Sequence, residues 1–265
     1  MTNSQISQTP ENEALSTELS KLNTEFLELF TLHKDLVDEE PVIYSLYLNR
    51  LGWLVFELFG KKTEYSRLKM KMELIQAALN RSQKPDLHEI ESKLNNQLSD
   101  YYKQIEENTG LLDEAKKVLT NLLPPEFVAE LKEVFRVLCK KLHPDLNPDQ
   151  PESDKELFLR VKAAYDLNDL PELKKILLFI DSSSETQPTE QTADVKRQRI
   201  EFLKKNIESL KEKIQQLSVT FPYNMKELIA DDEKTAVEQE AIKNQISFYE
   251  KEIINYQAFI ELMLS

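Results

Sequence analysis

The tripeptide His143-Pro144-Asp145 places an ionisable ring, a rigid imide and a carboxylate side by side near the middle of the chain. Proline lacks an N–H and restricts the residue before it, so a helix that arrives here must end at His143. Two more prolines occur by position 151, which makes residues 143–151 a stiff, non-helical loop. Such a loop can hold Asp145 in one place.

A row of basic side chains lies in the segment just before this loop. Spacing of four residues puts its first three members on one helical face, beside an apolar face that ends at Leu142. Such a row is often only a solvated face, but it is less expected in a chain with a net charge of −13. This basic stripe consists of Lys132, Arg136, Lys140 and the adjacent Lys141.

A second helix is predicted after the loop. Ser153 and Glu156 have the S-x-x-E spacing of a capping box, which marks a helix start. Two antiparallel helices joined by the stiff loop would display Asp145 beside the basic stripe. The apolar face of the second helix consists of Leu157, Phe158, Val161, Ala164 and Tyr165.

This segment resembles a J-domain. Residues 135–145 are similar to the second J-domain helix with its His-Pro-Asp tripeptide, and residues 158–165 are similar to the third helix. The resemblance covers about 50 of the 265 residues, and the flanking Lys-Lys and Asn147-Pro148 make it more specific than the tripeptide alone. The expected J-like core consists of Phe135, Leu138, Phe158, Val161, Ala164 and Tyr165.

The resemblance implies a binding function rather than an enzymatic one. J-domains dock on DnaK-type chaperones and stimulate ATP hydrolysis by the chaperone, so this chain would need no cofactor and no metal. By the resemblance, the basic stripe meets an acidic surface, Asp145 contacts a chaperone arginine, and His143 with Pro144 holds the loop. Asn147 is expected on the same surface.

The chain departs from the family pattern in several places. The Tyr-x-x-Leu-Gly pattern of the first J-domain helix is missing, and either residues 111–120 or the N-terminal helices would have to replace it. Leu146 stands where a lysine is common. The zinc-binding cysteine repeats and the Gly/Phe-rich linker of larger cochaperones are absent from the sequence as well. The long helices are then the candidates for binding a client or partner protein.

Leucine and isoleucine spacing elsewhere is typical of helices that pack on helices. Residues 12–120 predict three or four antiparallel helices, with a restart at Pro41. Seams at 200–217 and 242–263, joined by a short break, favour an antiparallel hairpin over an extended dimer.

The predicted fold is all-α, with an N-terminal antiparallel bundle, a J-like hairpin and a C-terminal coiled-coil hairpin. The predicted divisions are a disordered tail at 1–11, an N-terminal helical domain at 12–123, the J-like domain at 124–180, a linker at 181–192 and the C-terminal hairpin at 193–265.

Composition supports this interpretation and excludes others. Only 3 glycines occur, which argues against an all-β fold and leaves no glycine-rich phosphate loop. The acidic charge argues against nucleic acid and membrane surfaces as partners. His88-Glu89 lacks a second ligand because position 92 is serine, so no metal site is predicted. A single cysteine and the lack of a signal-like N-terminus favour a cytoplasmic location.

Two function classes follow from these patterns. The first is a cochaperone that recruits a DnaK-type chaperone to something held by the coiled coils. The second is a coiled-coil scaffold whose J-like unit is degenerate and inactive. Stimulation of chaperone ATPase activity distinguishes them.

Overall fold

The predicted all-α fold is confirmed by the computed structural model, which describes residues 10–183 and 192–265 and contains only helices and turns in those ranges. Most of the predicted tail and linker, residues 1–9 and 184–191, lies outside the described residues. The α-helices are α1, Pro10–Tyr47; α2, Trp53–Asn80; α3, Leu87–Gln97; α4, Ser99–Thr120; α5, Pro125–Leu142; α6, Glu152–Asp166; α7, Leu170–Ser183; α8, Ala193–Val219; α9, Lys226–Ala230; and α10, Asp232–Leu264.

The first helical run is longer than predicted. Pro41 lies inside α1, so the restart expected there is wrong: the proline removes only one hydrogen-bond donor and the helix continues. A π-helical turn, Leu48–Gly52, then joins α1 to α2. Gly52 is required in this turn because a Cβ there would lie 2.7 Å from Cδ2 of Leu48.

The chain forms two compact units, each built from segments distant in sequence. Unit 1 comprises the chain up to Asp38 together with Leu123–Val219, and unit 2 comprises Glu39–Leu122 together with Thr220–Ser265. These boundaries differ from the predicted domains at 12–123 and 193–265. A heptad seam shows that a helix packs on another helix, but it does not identify the partner.

Unit 2 is organised around α2 and α10, which pack along each other in parallel orientation. Arg50 pairs with Asp232 at 2.7 Å near the start of α10, and Lys61 pairs with Glu250 at 3.0 Å farther along. A buried cluster from α2, α3 and α10 forms part of this core: Leu68, Ile75, Ile90, Leu94, Ile253 and Ile260.

Unit 1 contains the first part of α1 with α5, α6, α7 and α8. Ion pairs between α1 and α8 recur every seven residues in both helices, joining Glu11 to Arg197, Glu18 to Lys204 (2.7 Å) and Glu25 to Lys211 (2.8 Å). This register shows that α1 and α8 lie side by side and run parallel.

The predicted C-terminal hairpin of α8 with α10 is therefore not the observed arrangement. The apolar seam of α8, represented by Leu203 and Ile207, belongs to the core of unit 1. The seam of α10, represented by Ile253 and Ile260, packs with α2 in unit 2. Both seams were correctly predicted to be buried, but each has a different partner from the one expected.

The ends of α6 and α7 fix the geometry after the loop. Helix α6 begins at Glu152, directly after Pro151, so Ser153 lies inside the first turn and does not form the predicted capping box. Asn168 adopts a left-handed φ of 56° just beyond α6, a conformation that asparagine tolerates better than most residues. Asp169 then accepts a hydrogen bond from the N–H of Glu172 (3.0 Å) at the start of α7.

Candidate partner-binding site

Helices α5 and α6 form an antiparallel hairpin around the His-Pro-Asp loop. The rings of Phe135 and Tyr165 stack with centroids 3.9 Å apart, and the rings of His143 and Phe158 meet edge to face at 4.9 Å. The middle of α5 thus lies beside the end of α6, and the end of α5 lies beside the middle of α6, so the two helices are antiparallel. The six residues of the J-like core are buried in one cluster: Phe135, Leu138, Phe158, Val161, Ala164 and Tyr165.

His143, at the end of α5, packs into this core. Its side chain is only 7% exposed and contacts the rings of Phe26, Phe30 and Phe158, with centroids 4.5–5.1 Å away. Burial lowers the pKa of His143 to about 4, with a further contribution from the charge of Lys162. The ring is therefore neutral at pH 7.

Hydrogen bonds within the loop make its shape self-supporting. The backbone N–H groups of Leu146 and Asn147 donate to the carbonyl of His143 at 3.0 and 2.9 Å. The Asn147 amide also donates to the carbonyls of Lys140 and His143, both at 3.2 Å. Gln150 donates to the carbonyl of Leu142 at 3.0 Å. These bonds satisfy carbonyls at the end of α5 and fix the backbone around Asp145.

Asp145 is half-buried and has a partner within the chain. Nδ2 of Asn206, on α8, donates a hydrogen bond to Oδ2 of Asp145 at 3.0 Å. Burial raises the pKa of Asp145, and the bond from Asn206 partly offsets this effect. One carboxylate oxygen is therefore already engaged by α8.

Three members of the basic stripe are paired with acidic side chains of unit 1. Lys132 pairs with Asp35 of α1 (3.1 Å), and Arg136 approaches Glu28 of α1 at 3.6 Å. Lys141 pairs with Asp181 of α7 at 2.8 Å. The ion pairs of Lys132 and Arg136 were missed because sequence reasoning placed α1 in a separate domain.

Lys140 differs from the other members of the stripe. It is exposed, and none of the residues that the structure describes forms an ion pair with it. A groove of about 400 Å³ lies between α1 and α5 at this point. Lys140, Arg136 and Asn147 line it, with Ser20 and Thr24 on the α1 side.

Helix α1 packs against the α5–α6 hairpin at His143. Phe26 and Phe30 of α1 enclose His143, and Phe26 is only 2% exposed. Residues 111–120, the other candidate from the sequence, lie in α4 of unit 2. Of the two replacements considered, the N-terminal helix is the one that packs on the α5–α6 hairpin.

Sequence reasoning missed two residues of α8 that contact the loop. Asn206 binds Asp145, and Nη2 of Arg199 donates to the carbonyl of Leu146 at 2.7 Å. Both residues lie beside the apolar seam of α8 and resemble ordinary coiled-coil flanks. The sequence contained one signal for such a contact, which was Leu146. An apolar residue in a polar loop indicates that another part of the chain covers it, and the side chain of Leu146 is indeed buried in the core.

Other chemistry is not supported at this site. Cys139 is fully buried, and burial raises its pKa to about 12, so its thiol stays protonated and unreactive. Within residues 10–183 and 192–265, no three His, Cys, Asp or Glu side chains are close enough together to hold a metal ion. No helix in those ranges combines the length and apolar character that crossing a membrane requires.

Comparison with known proteins adds no relative. No protein-family model matches the sequence, and neither the curated proteins nor the solved structures contain a match. The resemblance to J-domains therefore rests on the residues of α5, the loop and α6 alone.

Proposed function

We propose that this chain is a J-domain-type cochaperone that docks on a DnaK-type chaperone and stimulates its ATPase activity. The chemistry would belong to the chaperone, so the chain itself would act as a binding protein and not as an enzyme. The proposal includes a client or partner protein bound through the long helices. It also places the protein in the cytoplasm, where a lone cysteine such as Cys139 remains reduced.

The observation that carries this proposal is the antiparallel α5–α6 hairpin with a rigid His-Pro-Asp loop at its tip. Asp145 is held by a backbone whose polar groups are satisfied within the loop, so its carboxylate has a fixed position. A fixed carboxylate can form a charge-assisted hydrogen bond with an arginine of a partner at little entropic cost.

The basic stripe supplies the second element. Lys140 and Arg136 line the groove beside the loop, on the same side as Asn147. Cations in this position would attract an acidic partner surface and orient it toward Asp145. In a chain with a net charge of −13, such a local basic surface is less expected on a face that is merely solvated.

An ATPase assay tests the proposal. The wild-type chain should accelerate single-turnover ATP hydrolysis by a DnaK-type chaperone from the same cell. Asp145→Asn should abolish the acceleration, because the amide keeps the size of the side chain but removes its charge. The matched control, Asp154→Asn on α6, should remain fully active. A wild type that fails to stimulate, alongside an active reference cochaperone, would remove the proposal.

A second candidate function has a specific observation in its favour. Asp145 is bonded to Asn206, and three of the four basic residues are paired within the chain. A scaffold with an inactive J-like unit could retain such contacts as ordinary packing. That candidate predicts no stimulation by the wild type and no effect of Asp145→Asn.

A further inference from the structure

Helix α8 contacts the His-Pro-Asp loop through two polar side chains spaced seven residues apart. Asn206 donates to the carboxylate of Asp145 at 3.0 Å, and Arg199 donates to the carbonyl of Leu146 at 2.7 Å. The charge of Asp149 also acts on Arg199. Two donors of one helix face thus cover one side of the loop.

These donors are of the kind that a chaperone would offer. Under the proposed function, Asp145 receives a hydrogen bond from a cationic partner, and α8 already presents an amide and a guanidinium to this region. A partner arginine and Asn206 would compete for the same carboxylate. Helix α8 therefore has the chemistry of an intramolecular substitute for the partner.

The loop has hydrogen bonds of its own that do not involve α8. Its backbone is held by His143, Asn147 and Gln150, all of which bond within residues 140–150. Loss of the two bonds from α8 would therefore free Asp145 without unfolding the loop. These bonds would keep the shape of the loop when its polar contacts with α8 are broken.

The polar contacts of α8 could break while its apolar contacts remain. Three ion pairs at heptad spacing, Glu11–Arg197, Glu18–Lys204 and Glu25–Lys211, lie on exposed flanks, where each such pair contributes little. The apolar seam, with Leu203 fully buried, provides the main attachment. A small shift of α8 that keeps this seam would break the two polar contacts with the loop.

We propose that α8 is an autoinhibitory clamp, in which Asn206 and Arg199 hold the loop in a state closed to a DnaK-type chaperone. This inference rests on the proposed cochaperone function and specifies how it is regulated. Binding of the chaperone then requires α8 to move away from Asp145. The same contacts set how much chaperone is needed for stimulation.

The test uses the full-length chain and two variants that change the charge of residue 206 in opposite directions. The first of them also changes Arg199. In the open variant, Asn206→Asp with Arg199→Met, a carboxylate faces Asp145 and the donor to the carbonyl of Leu146 is lost, so α8 should release the loop. In the closed variant, Asn206→Lys, a cation faces Asp145 and should tighten the clamp. The matched controls are Gln198→Glu and Lys205→Gln, which make similar changes at exposed positions of α8.

Two measurements are made on every variant. Amide hydrogen exchange of residues 143–151 reports uncovering of the loop, and single-turnover ATPase titration reports stimulation. In the open variant, the amides of residues 143–151 should exchange faster than in wild type. Half-maximal stimulation should need an about tenfold lower concentration of this variant than of wild type, since two hydrogen bonds are lost. The closed variant should require a higher concentration than wild type, an effect in the opposite direction to that of the open variant.

The outcomes separate this inference from the proposed function. If the wild type stimulates and the open variant exchanges faster without a lower half-maximal concentration, the clamp is refuted and the cochaperone remains. Unchanged exchange of residues 143–151 in the open variant also refutes the clamp, because Asn206 and Arg199 then do not cover the loop. If the wild type does not stimulate alongside an active reference cochaperone, both proposals fail. If the open variant is unfolded, the closed variant decides, and wild-type behaviour there refutes the clamp.

Discussion

The backbone N–H of Asp145 donates a hydrogen bond to Nδ1 of His143 at 3.1 Å. This bond requires an unprotonated Nδ1, so the two residues of the tripeptide are coupled through the neutral form of the imidazole. The aromatic rings of Phe26, Phe30 and Phe158 surround that imidazole and exclude water from it. The histidine thus fixes the backbone of the aspartate from inside the core.

The first prediction is that stability falls as the medium becomes mildly acidic. The unfolded chain protonates His143 near pH 6.5, whereas the folded chain does so only near pH 4. Its contribution is therefore complete above pH 6.5 and is lost as the pH falls toward 4. Between pH 7.5 and 5.5, urea unfolding should show a loss of about 1 kcal/mol from this group.

The control for this prediction compares two histidines. His143→Gln should flatten the dependence on pH, while His33→Gln should keep most of it because His33 is only half-buried. The range stops at pH 5.5 because burial raises the pKa of Asp145, and its protonation favours the folded state at lower pH. An equal slope in wild type and His143→Gln would show that this imidazole is not buried as described.

The second prediction concerns the parallel pairing of α1 with α8. Glu18 and Lys204 lie 2.7 Å apart on partly exposed flanks. A double-mutant cycle with Glu18→Ala and Lys204→Ala should give a coupling free energy of about 0.2–1 kcal/mol, decreasing in high salt. The reference cycle pairs Lys204→Ala with Glu28→Ala, because Glu28 approaches Arg136 instead. Coupling that is equal in both cycles would contradict this register.

Heptad spacing predicted burial well in both seams and failed on their partners. Leu203 of α8 and Ile253 of α10 are buried as the 3-4 spacing indicates. Each seam is nevertheless compatible with any other seam of similar spacing, so a neighbour in sequence was assumed to be the neighbour in space. The residues that distinguish the true partner of each seam are polar, as with Glu18 and Lys204, which carry opposite charges. In the sequence such flanking residues look like ordinary solvated ones, so they did not identify the partner.

The site was predicted only within the α5–α6 hairpin. The spacing of apolar residues together with the J-domain resemblance placed Phe135 and Val161 in one core, and the two residues lie in neighbouring helices joined by a short loop. Asn206 could not be predicted as a partner of Asp145, since 61 residues separate them and an asparagine on a helix flank has many uses. The same applies to Phe26, which lies more than 100 residues before the histidine that it covers.

The third prediction tests burial of α8 through its apolar seam. Leu203 is 0% exposed, so Leu203→Ala should lower the free energy of unfolding by about 2–5 kcal/mol through lost burial and a cavity. Leu262 of α10 is 72% exposed, and Leu262→Ala should change it by only about 0.5 kcal/mol. Chemical unfolding of both variants measures the contrast. Equal effects would mean that Leu203 does not belong to a packed core.

The last prediction separates two cations of the basic stripe by their partners within the chain. Lys140 forms no ion pair with any residue in the described ranges, so Lys140→Glu removes no salt bridge there. Arg136 approaches Glu28 at 3.6 Å, so Arg136→Glu also places two carboxylates face to face. Both changes should weaken stimulation of the chaperone, most strongly at low salt. At 0.1 M ionic strength, exposed charges more than about 10 Å apart are largely screened from each other.

Stability distinguishes the two variants and provides the control. Lys140→Glu should unfold at nearly the same urea concentration as wild type, because exposed substitutions usually shift stability by about 0.5 kcal/mol or less. Arg136→Glu should lose somewhat more through repulsion from Glu28. Lys117→Glu, a reversal at an exposed position of α4 in unit 2, should leave stimulation unchanged. If Lys140→Glu stimulates as well as wild type at low salt, the basic stripe is a solvated face and the chaperone would have to be oriented by Asp145 alone.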